Sequence, residues 1–264
     1  RLERSSMELK IGESQYNVIE NYECSYGLQL VKLNADSAIW KSSNEKIATV
    51  DDYGNVKGIT PGKVTISAII GEMELTYEVT IKLPFDDVNE NDWFYNAVKY
   101  MKDNRYMSGT TETTYSPSSK LTRGMLVTIL HNMEGKPKVT GTSKFADVQN
   151  KNMYYYSAVL WASSNKIVNG YSNGKFGADD NITREQLAVM LSNYCKYKGK
   201  YKATNANYSK FSDSGKISGF AKTGMNWAVA NNIVNGSNGK LNPQGTANRA
   251  EAAAMIYNYC NRIK

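Results

Sequence analysis

Asn181-Ile182-Thr183-Arg184-Glu185-Gln186-Leu187 is a helix start that the chain spells out more than once, each time after a short apolar turn. Here the turn is Ile167-Val168-Asn169-Gly170. Further on, Ile233-Val234-Asn235-Gly236 precedes Ala247-Asn248-Arg249-Ala250-Glu251, and a looser copy runs Tyr106-Met107-Ser108-Gly109 and then Leu121-Thr122-Arg123-Gly124. Internal repetition sets an architecture before any single element does. Thr183 with Gln186, and Asn248 with Glu251, have the spacing of a capping box, in which each side chain satisfies a backbone N–H of the helix end. Behind it, Leu187, Met190, Leu191 and Tyr194 fall at helical intervals, as do Ala252, Met255, Ile256 and Tyr259, so each helix has one buried face. Arginine is an odd choice at the first helical position, because the helix dipole is positive there. It costs a few tenths of a kcal/mol, roughly, unless an anion joins it. A guanidinium beside free backbone N–H groups makes a carboxylate or phosphate site. The plainer alternative is an ion pair with an acid elsewhere in the repeat.

Upstream of these helix starts, each copy opens on a phenylalanine and an aspartate: Phe85-Asp86-Asp87, Phe145-Ala146-Asp147 and Phe211-Ser212-Asp213. From the last aspartate to the arginine the spacing is 36, 37 and 36 residues. An aromatic follows the opening (Trp93, Tyr154, Phe220), and a second lies within a first helix (Tyr100, Trp161, Trp227). The first helices are expected over Tyr95–Asn104, Ser157–Asn165 and Ala221–Asn231. Polar, Gly/Lys/Asn-rich linkers around Lys136–Ser143 and Gly199–Ser209 separate the copies. The copies are unequal. The first has Arg123-Gly124-Met125, with nothing at the third helical position to close a capping box. The third has Asn248 in place of threonine. The second keeps most of the pattern.

This pattern resembles the S-layer homology module: an F-x-D start, an aromatic-bearing first helix, an I-V-x-G turn and a T-R-x-E helix start, three times over. The resemblance implies an all-α, pseudo-threefold body in which the arginine helices form a central bundle, the other helices splay outward as prongs, and grooves lie between prongs. It also implies a ligand, an anionic secondary cell-wall polysaccharide attached to peptidoglycan, often carrying pyruvylated N-acetylmannosamine. A pyruvyl ketal presents a carboxylate that arginine can hold through paired charged hydrogen bonds. On that basis Arg123, Arg184 and Arg249 take the carboxylate. Asp87, Asp147 and Asp213 accept from hydroxyls, and Trp93, Tyr154 and Phe220 stack on a sugar face. Gly109, Gly170 and Gly236 let the ligand approach the backbone. Each set has a plainer use: the aspartates cap a turn, the glycines supply positive φ, and the first aromatics plug the repeat. Trp161 and Trp227 are expected in the core. The groove using Arg184 is expected to bind best and the one using Arg123 worst.

Residues 1–83 read differently. Strands are expected at Met7–Ile11, Leu28–Leu33, Ala38–Lys41, Ile47–Val50, Lys63–Ile70 and Glu74–Ile81, separated by turn signals at Tyr53-Gly54-Asn55, Thr60-Pro61-Gly62 and Gly71. About seven short strands in this length suggest a β-sandwich. Trp40-Lys41-Ser42-Ser43-Asn44-Glu45-Lys46-Ile47-Ala48-Thr49-Val50, Gly54-Asn55-Val56-Lys57-Gly58 and Pro61-Gly62-Lys63-Val64-Thr65-Ile66 resemble the bacterial group-2 immunoglobulin-like domain. Residues 12–37 fit it poorly. Such domains are spacers or adhesive modules on bacterial surfaces, and Trp40 reads as core. Leu83-Pro84 marks the boundary, since proline cannot continue a ladder. The expected organisation is 1–83 Ig-like, then repeats at 84–141, 142–206 and 207–264, with 84–264 one folded unit.

The chain has 264 residues and a net charge of +7. That balance favours acidic partners, but the basic residues are scattered, which argues against nucleic acid. No apolar run reaches a membrane-spanning length. Arg1-Leu2-Glu3-Arg4 does not read as a signal sequence, so a piece of a longer or processed chain is expected. Cys24, Cys195 and Cys260 lack metal-ligand spacing; whether Cys195 and Cys260 pair stays open. A lone His131 makes a zinc site improbable. With no nucleophilic triad, zinc signature or phosphate loop, the expectation is a non-enzymatic anchor. It needs no metal or cofactor, works outside the cell at the wall or S-layer, and has neighbouring S-layer subunits as further candidate partners. The alternatives are the anchor region of a wall hydrolase or other surface enzyme, and an adhesin acting through the Ig-like domain.

Overall fold

The computed structural model describes residues 2–19, 25–26, 29–30 and 38–263. The chain divides into two compact units, Arg1–Asp86 with Glu112–Thr114, and Asp87–Thr111 with Tyr115–Lys264.

The first unit is built of strands: β1 (Ser6–Lys10), β2 (Ser14–Tyr16), β3 (Ser25–Tyr26), β4 (Gln29–Leu30), β5 (Ile39–Ser42), β6 (Ala48–Val50), β7 (Asn55–Gly58), β8 (Gly62–Ile70) and β9 (Met73–Lys82). One sheet has the order β1-β9-β8-β5, a second β2-β7-β6, and β3 pairs with β4. β1 runs parallel to β9, and the remaining pairs are antiparallel. Alternate residues turn inward, as the two-residue strand period requires. Val64, Ile66, Tyr77, Val79 and Ile81 meet Ala48 and Val56 of the other sheet in one core. Trp40 is half-buried against it. At Gly54, φ is +79° and a Cβ would stand 2.6 Å from the Trp40 ring, so the turn requires glycine.

Patterning located β1, β5, β6, β8 and β9 to within one residue at each end, but missed β2, β3 and β7. β7 reads Asn55-Val56-Lys57-Gly58, with a turn former at each end of one β-branched residue, so its turn signal concealed a strand. The expected strand Leu28–Leu33 falls mostly outside the described residues, as does Cys24.

The second unit contains α1 (Tyr95–Asp103), α2 (Arg123–Met133), α3 (Tyr156–Ser164), α4 (Arg184–Tyr197), α5 (Lys222–Ala230) and α6 (Arg249–Arg262). The capping boxes at Thr183/Gln186 and Asn248/Glu251 form in full. Thr122 accepts from the Met125 N–H, but Met125 cannot reciprocate. The main helix packing joins neighbouring repeats: α2 lies on α3, α4 on α5, and α6 on α1. Gly224 permits the α4–α5 approach, because a Cβ there would lie 2.8 Å from the Val189 Cα. Trp161 and Trp227 are buried. His131 is buried beside Trp161, its Nε2 2.9 Å from the Pro137 carbonyl. Cys195 and Cys260 are free thiols. Among the described residues no helix is long and apolar enough to cross a membrane.

Just before the arginine helices, three backbone hydrogen bonds close a cycle. Leu121 N–H donates to the Ala247 carbonyl (3.0 Å), Ala247 N–H to Ile182 (2.9 Å), and Ile182 N–H to Leu121 (2.9 Å). All three residues are fully buried, so these groups have no access to water and must pair with one another.

Candidate functional site

Each arginine reaches out of its own repeat. Arg123 donates from Nε to the Phe176 carbonyl (2.9 Å) and from Nη2 to the Asn169 carbonyl (3.1 Å). Its guanidinium lies 4.7 Å from the ring centre of Tyr171 and 4.8 Å from that of Phe176. Arg249 donates from Nε to the Tyr115 carbonyl (2.8 Å) and from Nη2 to Ser108 (2.6 Å), over the Tyr115 ring. Burial pulls both guanidinium pKa values down, opposed at Arg123 by Tyr171, Asp180 and Asp147 and at Arg249 by Tyr115 and Asp87. Arg184 is held otherwise. Its Nε donates to the Leu241 carbonyl and its Nη1 to Glu251 Oε1, both at 2.9 Å. Of the three, Arg184 alone has an acid within ion-pairing distance among the described residues. Ser237 and Leu241 occupy the places of Tyr171 and Phe176 in the third repeat's loop, which leaves Arg184 without an aromatic cover.

The aspartates stay within their repeats and clamp the loop that receives a neighbour's arginine. Asp87 takes the N–H groups of Tyr115 (2.8 Å) and Ser116 (2.7 Å). Asp147 takes those of Phe176 and Gly177, both at 2.7 Å. Asp213 takes those of Leu241 (2.7 Å) and Asn242 (2.8 Å). A carboxylate has about four acceptor positions, so two such bonds leave room for a ligand hydroxyl. Partial burial pulls the Asp147 and Asp213 carboxyls up. The loop N–H groups, with Lys175 and Lys216 nearby, outweigh it and hold both below the ordinary 3.8. A carboxyl depressed on folding contributes its full stabilisation above its unfolded pKa, and that is lost as pH falls through the folded value. The melting temperature of the helical unit is therefore expected to be level above about pH 5 and to fall below about pH 4. Asp213→Asn should flatten that acid limb, as circular dichroism melts across pH can check.

The glycines are packed against their own repeats. A Cβ at Gly170 would lie 2.5 Å from the Phe145 ring and 2.6 Å from the Lys175 carbonyl. At Gly236, with φ +68°, it would lie 2.6 Å from both Phe211 and the Lys240 carbonyl. Gly109 is half-buried. The first aromatics face solvent: Trp93 is 69%, Tyr154 57% and Phe220 64% exposed.

A groove of about 1240 Å³ brings four of the expected residues together: Arg184, Trp93, Asp213 and Gly236. One comes from the second repeat, one from the first and two from the third. Lys216, Lys240 and Glu251 also line it, with the amides of Asn96, Asn235, Asn238, Asn242, Gln244 and Asn258. A smaller hollow of about 400 Å³ gathers Asp147 and Gly177 with Tyr171, Lys175, Asp179 and Asp180, and is richer in acids. Lys216 and the amides were not singled out from sequence, because nothing in linear order shows that the third repeat's loop faces α1. Glu251 was legible only as a cap. It performs that role, accepting from the Asn248 N–H through Oε2 (2.9 Å), while Oε1 holds Arg184.

Chemically, the groove presents cations, one exposed indole face and side-chain amides. An anionic group can meet Arg184, Lys216 and Lys240. Amides both donate and accept, which suits the hydroxyls of a sugar. The indole suits the apolar face of a pyranose. Both lining carboxylates are already engaged, Asp213 by the loop and Glu251 by Arg184 and its helix cap.

Comparison with known proteins identifies two families along the chain. The S-layer homology domain matches at residues 84–124, 144–188 and 210–253, and the bacterial Ig-like domain (group 2) at 16–81. The chain is 28% identical over 174 residues to an endoglucanase of Bacillus sp. (strain KSM-635), covering 66% of this chain and 18% of that protein. It is 30% identical over 175 residues to an amylopullulanase of Thermoanaerobacterium thermosulfurigenes, covering 66% of this chain and 9% of that one. It is 28% identical over 164 residues to the surface-layer 125 kDa protein of Lysinibacillus sphaericus, covering 61% of this chain and 13% of that one. The chain thus spans less than a fifth of each of these relatives. It belongs to the S-layer homology family through three consecutive domains, preceded by a bacterial Ig-like domain of group 2.

Proposed function

We propose that this chain anchors a surface protein to the cell wall, non-catalytically, by holding an anionic, pyruvylated secondary wall polysaccharide in the groove built on Arg184. Its location is the cell surface, at the wall. The observation that carries the reading is the meeting of Arg184, Asp213 and the exposed Trp93, from three different repeats, in one groove. The closed cycle of backbone hydrogen bonds supports a pseudo-threefold body, with Arg123 and Arg249 at the equivalent joints. Their grooves are weaker candidates: aromatic rings lie over both guanidiniums, and acids gather near Arg123. Relatives that include both polysaccharide-degrading enzymes and surface-layer proteins favour a portable anchor over a catalytic role. The Ig-like unit is read as a spacer.

The test is co-sedimentation of the protein with peptidoglycan sacculi, before and after acid extraction of the attached polymer. Binding should vanish with the polymer. Binding that survives extraction would make peptidoglycan the ligand and sink the polymer reading. Trp93→Ala should weaken binding by about 1–2 kcal/mol, the scale of an aromatic contact at a recognition site. Because Trp93 is exposed, the melting temperature should stay unchanged; a drop in stability with binding intact would give Trp93 a structural role instead.

A further inference from the structure

Four Asn-Gly steps occur in the sequence, and all four lie in the loops after the first helices of the second and third repeats: Asn169-Gly170, Asn173-Gly174, Asn235-Gly236 and Asn238-Gly239. Asparagine before glycine is reactive because no Cβ hinders the following backbone nitrogen. That nitrogen attacks the asparagine Cγ, the bond from Cγ to Nδ2 breaks, and ammonia leaves a five-membered succinimide. Water then opens the ring to aspartate or isoaspartate. One water is consumed, one ammonia is released, and a neutral amide becomes a carboxylate. The attack needs a side chain free to swing and a glycine N–H free of other bonds.

Among the described residues one of the four steps fails these requirements, and the other three differ in how their surroundings hold them. Asn173 Oδ1 accepts from the Lys175 N–H at 3.1 Å, and the Gly174 N–H donates to the Tyr171 carbonyl at 3.1 Å, so both reactants are engaged. At Asn238-Gly239 the reactants are unbonded among the described residues, but the step is the two-residue turn between Ser237 and Lys240, whose backbone is fixed by hydrogen bonds of 2.8 and 2.9 Å in both directions. At Asn169-Gly170 neither the side chain nor the glycine N–H has a hydrogen-bond partner among the described residues, but the Asn169 carbonyl holds Arg123 and the step does not line the Arg184 groove. Asn235 is exposed. Among the described residues, neither its side chain nor the Gly236 N–H has a hydrogen-bond partner, and Asn235 lines the groove with Arg184.

We propose that Asn235-Gly236 is a site of spontaneous deamidation whose product turns the Arg184 groove from attracting an anion to repelling one. The consequence for binding rests on the anionic-glycan reading above. A new carboxylate would oppose Arg184, Lys216 and Lys240 inside the space meant for the ligand's acid. Isoaspartate would also lengthen the backbone by one methylene next to Gly236. There an added Cβ already meets the Lys240 carbonyl and the Phe211 ring at 2.6 Å, so the loop has no slack to absorb it.

The experiment ages the full-length protein in mildly alkaline buffer, with a mildly acidic buffer as the slow control. Peptide mass spectrometry locates each amide-to-acid conversion, and co-sedimentation with polymer-bearing sacculi follows binding in the same samples. Asn235 should convert ahead of Asn173 and Asn238, and binding should fall in step with it. Asn235→Asp should bind about tenfold more weakly than the fresh protein; should that variant misfold, the aged protein supplies the same readout. The proposal is overturned if Asn235 converts no faster than Asn173 and Asn238, or if protein fully converted at Asn235 binds like fresh material. Failure of the fresh protein to bind would overturn the anchor reading and the binding switch with it, while the order of conversion is judged independently by mass.

Discussion

Arg184→Ala is expected to weaken binding to polymer-bearing wall by about 2–3 kcal/mol, roughly 30- to 150-fold, the scale of a charged hydrogen bond lost from a half-buried site. The substitution also leaves the Leu241 carbonyl and Glu251 Oε1 without their donor. A modest fall in stability, about 1–2 kcal/mol, should accompany the loss. Arg184→Lys separates the two effects. A lysine keeps the charge but cannot offer a planar fork to Leu241, Glu251 and a ligand together, so it should recover stability more fully than affinity. Titrations should be run well below the melting temperatures of all three proteins. Equal affinity of Arg184→Ala and the parent under those conditions would remove the groove from the functional account.

The second large effect concerns the third repeat. A protein ending at residue 206 should lose both wall binding and the cooperative melt of the helical unit. Truncation takes away α5, which covers α4, and α6, which covers α1. It removes Arg249 from the Ser108 and Tyr115 carbonyls, removes the partners of Arg184, and breaks two of the three hydrogen bonds in the central cycle. In a linear array of repeats, loss of a terminal copy costs one interface and leaves the rest standing. Here each copy is gripped by both others, so loss of one should leave helices without a fixed arrangement. Circular dichroism melts of the full and truncated proteins test this. A cooperative transition within a few degrees of the parent's would mean that the repeats fold independently.

Much of this architecture is legible in the residues alone. The helix starts are set by local chemistry: Thr183 and Gln186 satisfy each other's backbone N–H within four residues, so the signal needs no tertiary context. The buried places of Trp161 and Trp227 follow from helical period. Partnerships across repeats are not legible. Arg184 and Glu251 are 67 residues apart in the chain, and each already has a local explanation, one as an anion site and the other as a cap. The repeats make equivalent arginines, aspartates and aromatics legible, but not which copies' residues share a groove. The structure places Arg184, Asp213 and Trp93, from three copies, in the lining of one groove. In the strand region, β7 is hidden because its glycine and asparagine signal turns while its register is dictated by pairing with β2 and β6.

The mixed parentage of the groove also bears on how such a protein diverges over generations. The third repeat lends its loop to the Arg184 groove while its own Arg249 enters the first repeat's loop. The second repeat likewise sends Arg184 outward and receives Arg123. A change selected in one copy is therefore inherited by grooves whose other walls belong to different copies. Recombination that swaps a single module would import mismatched surfaces on both sides. Exchange of the whole triplet would travel intact, and the smallest heritable unit that keeps every groove complete in this architecture is three modules long.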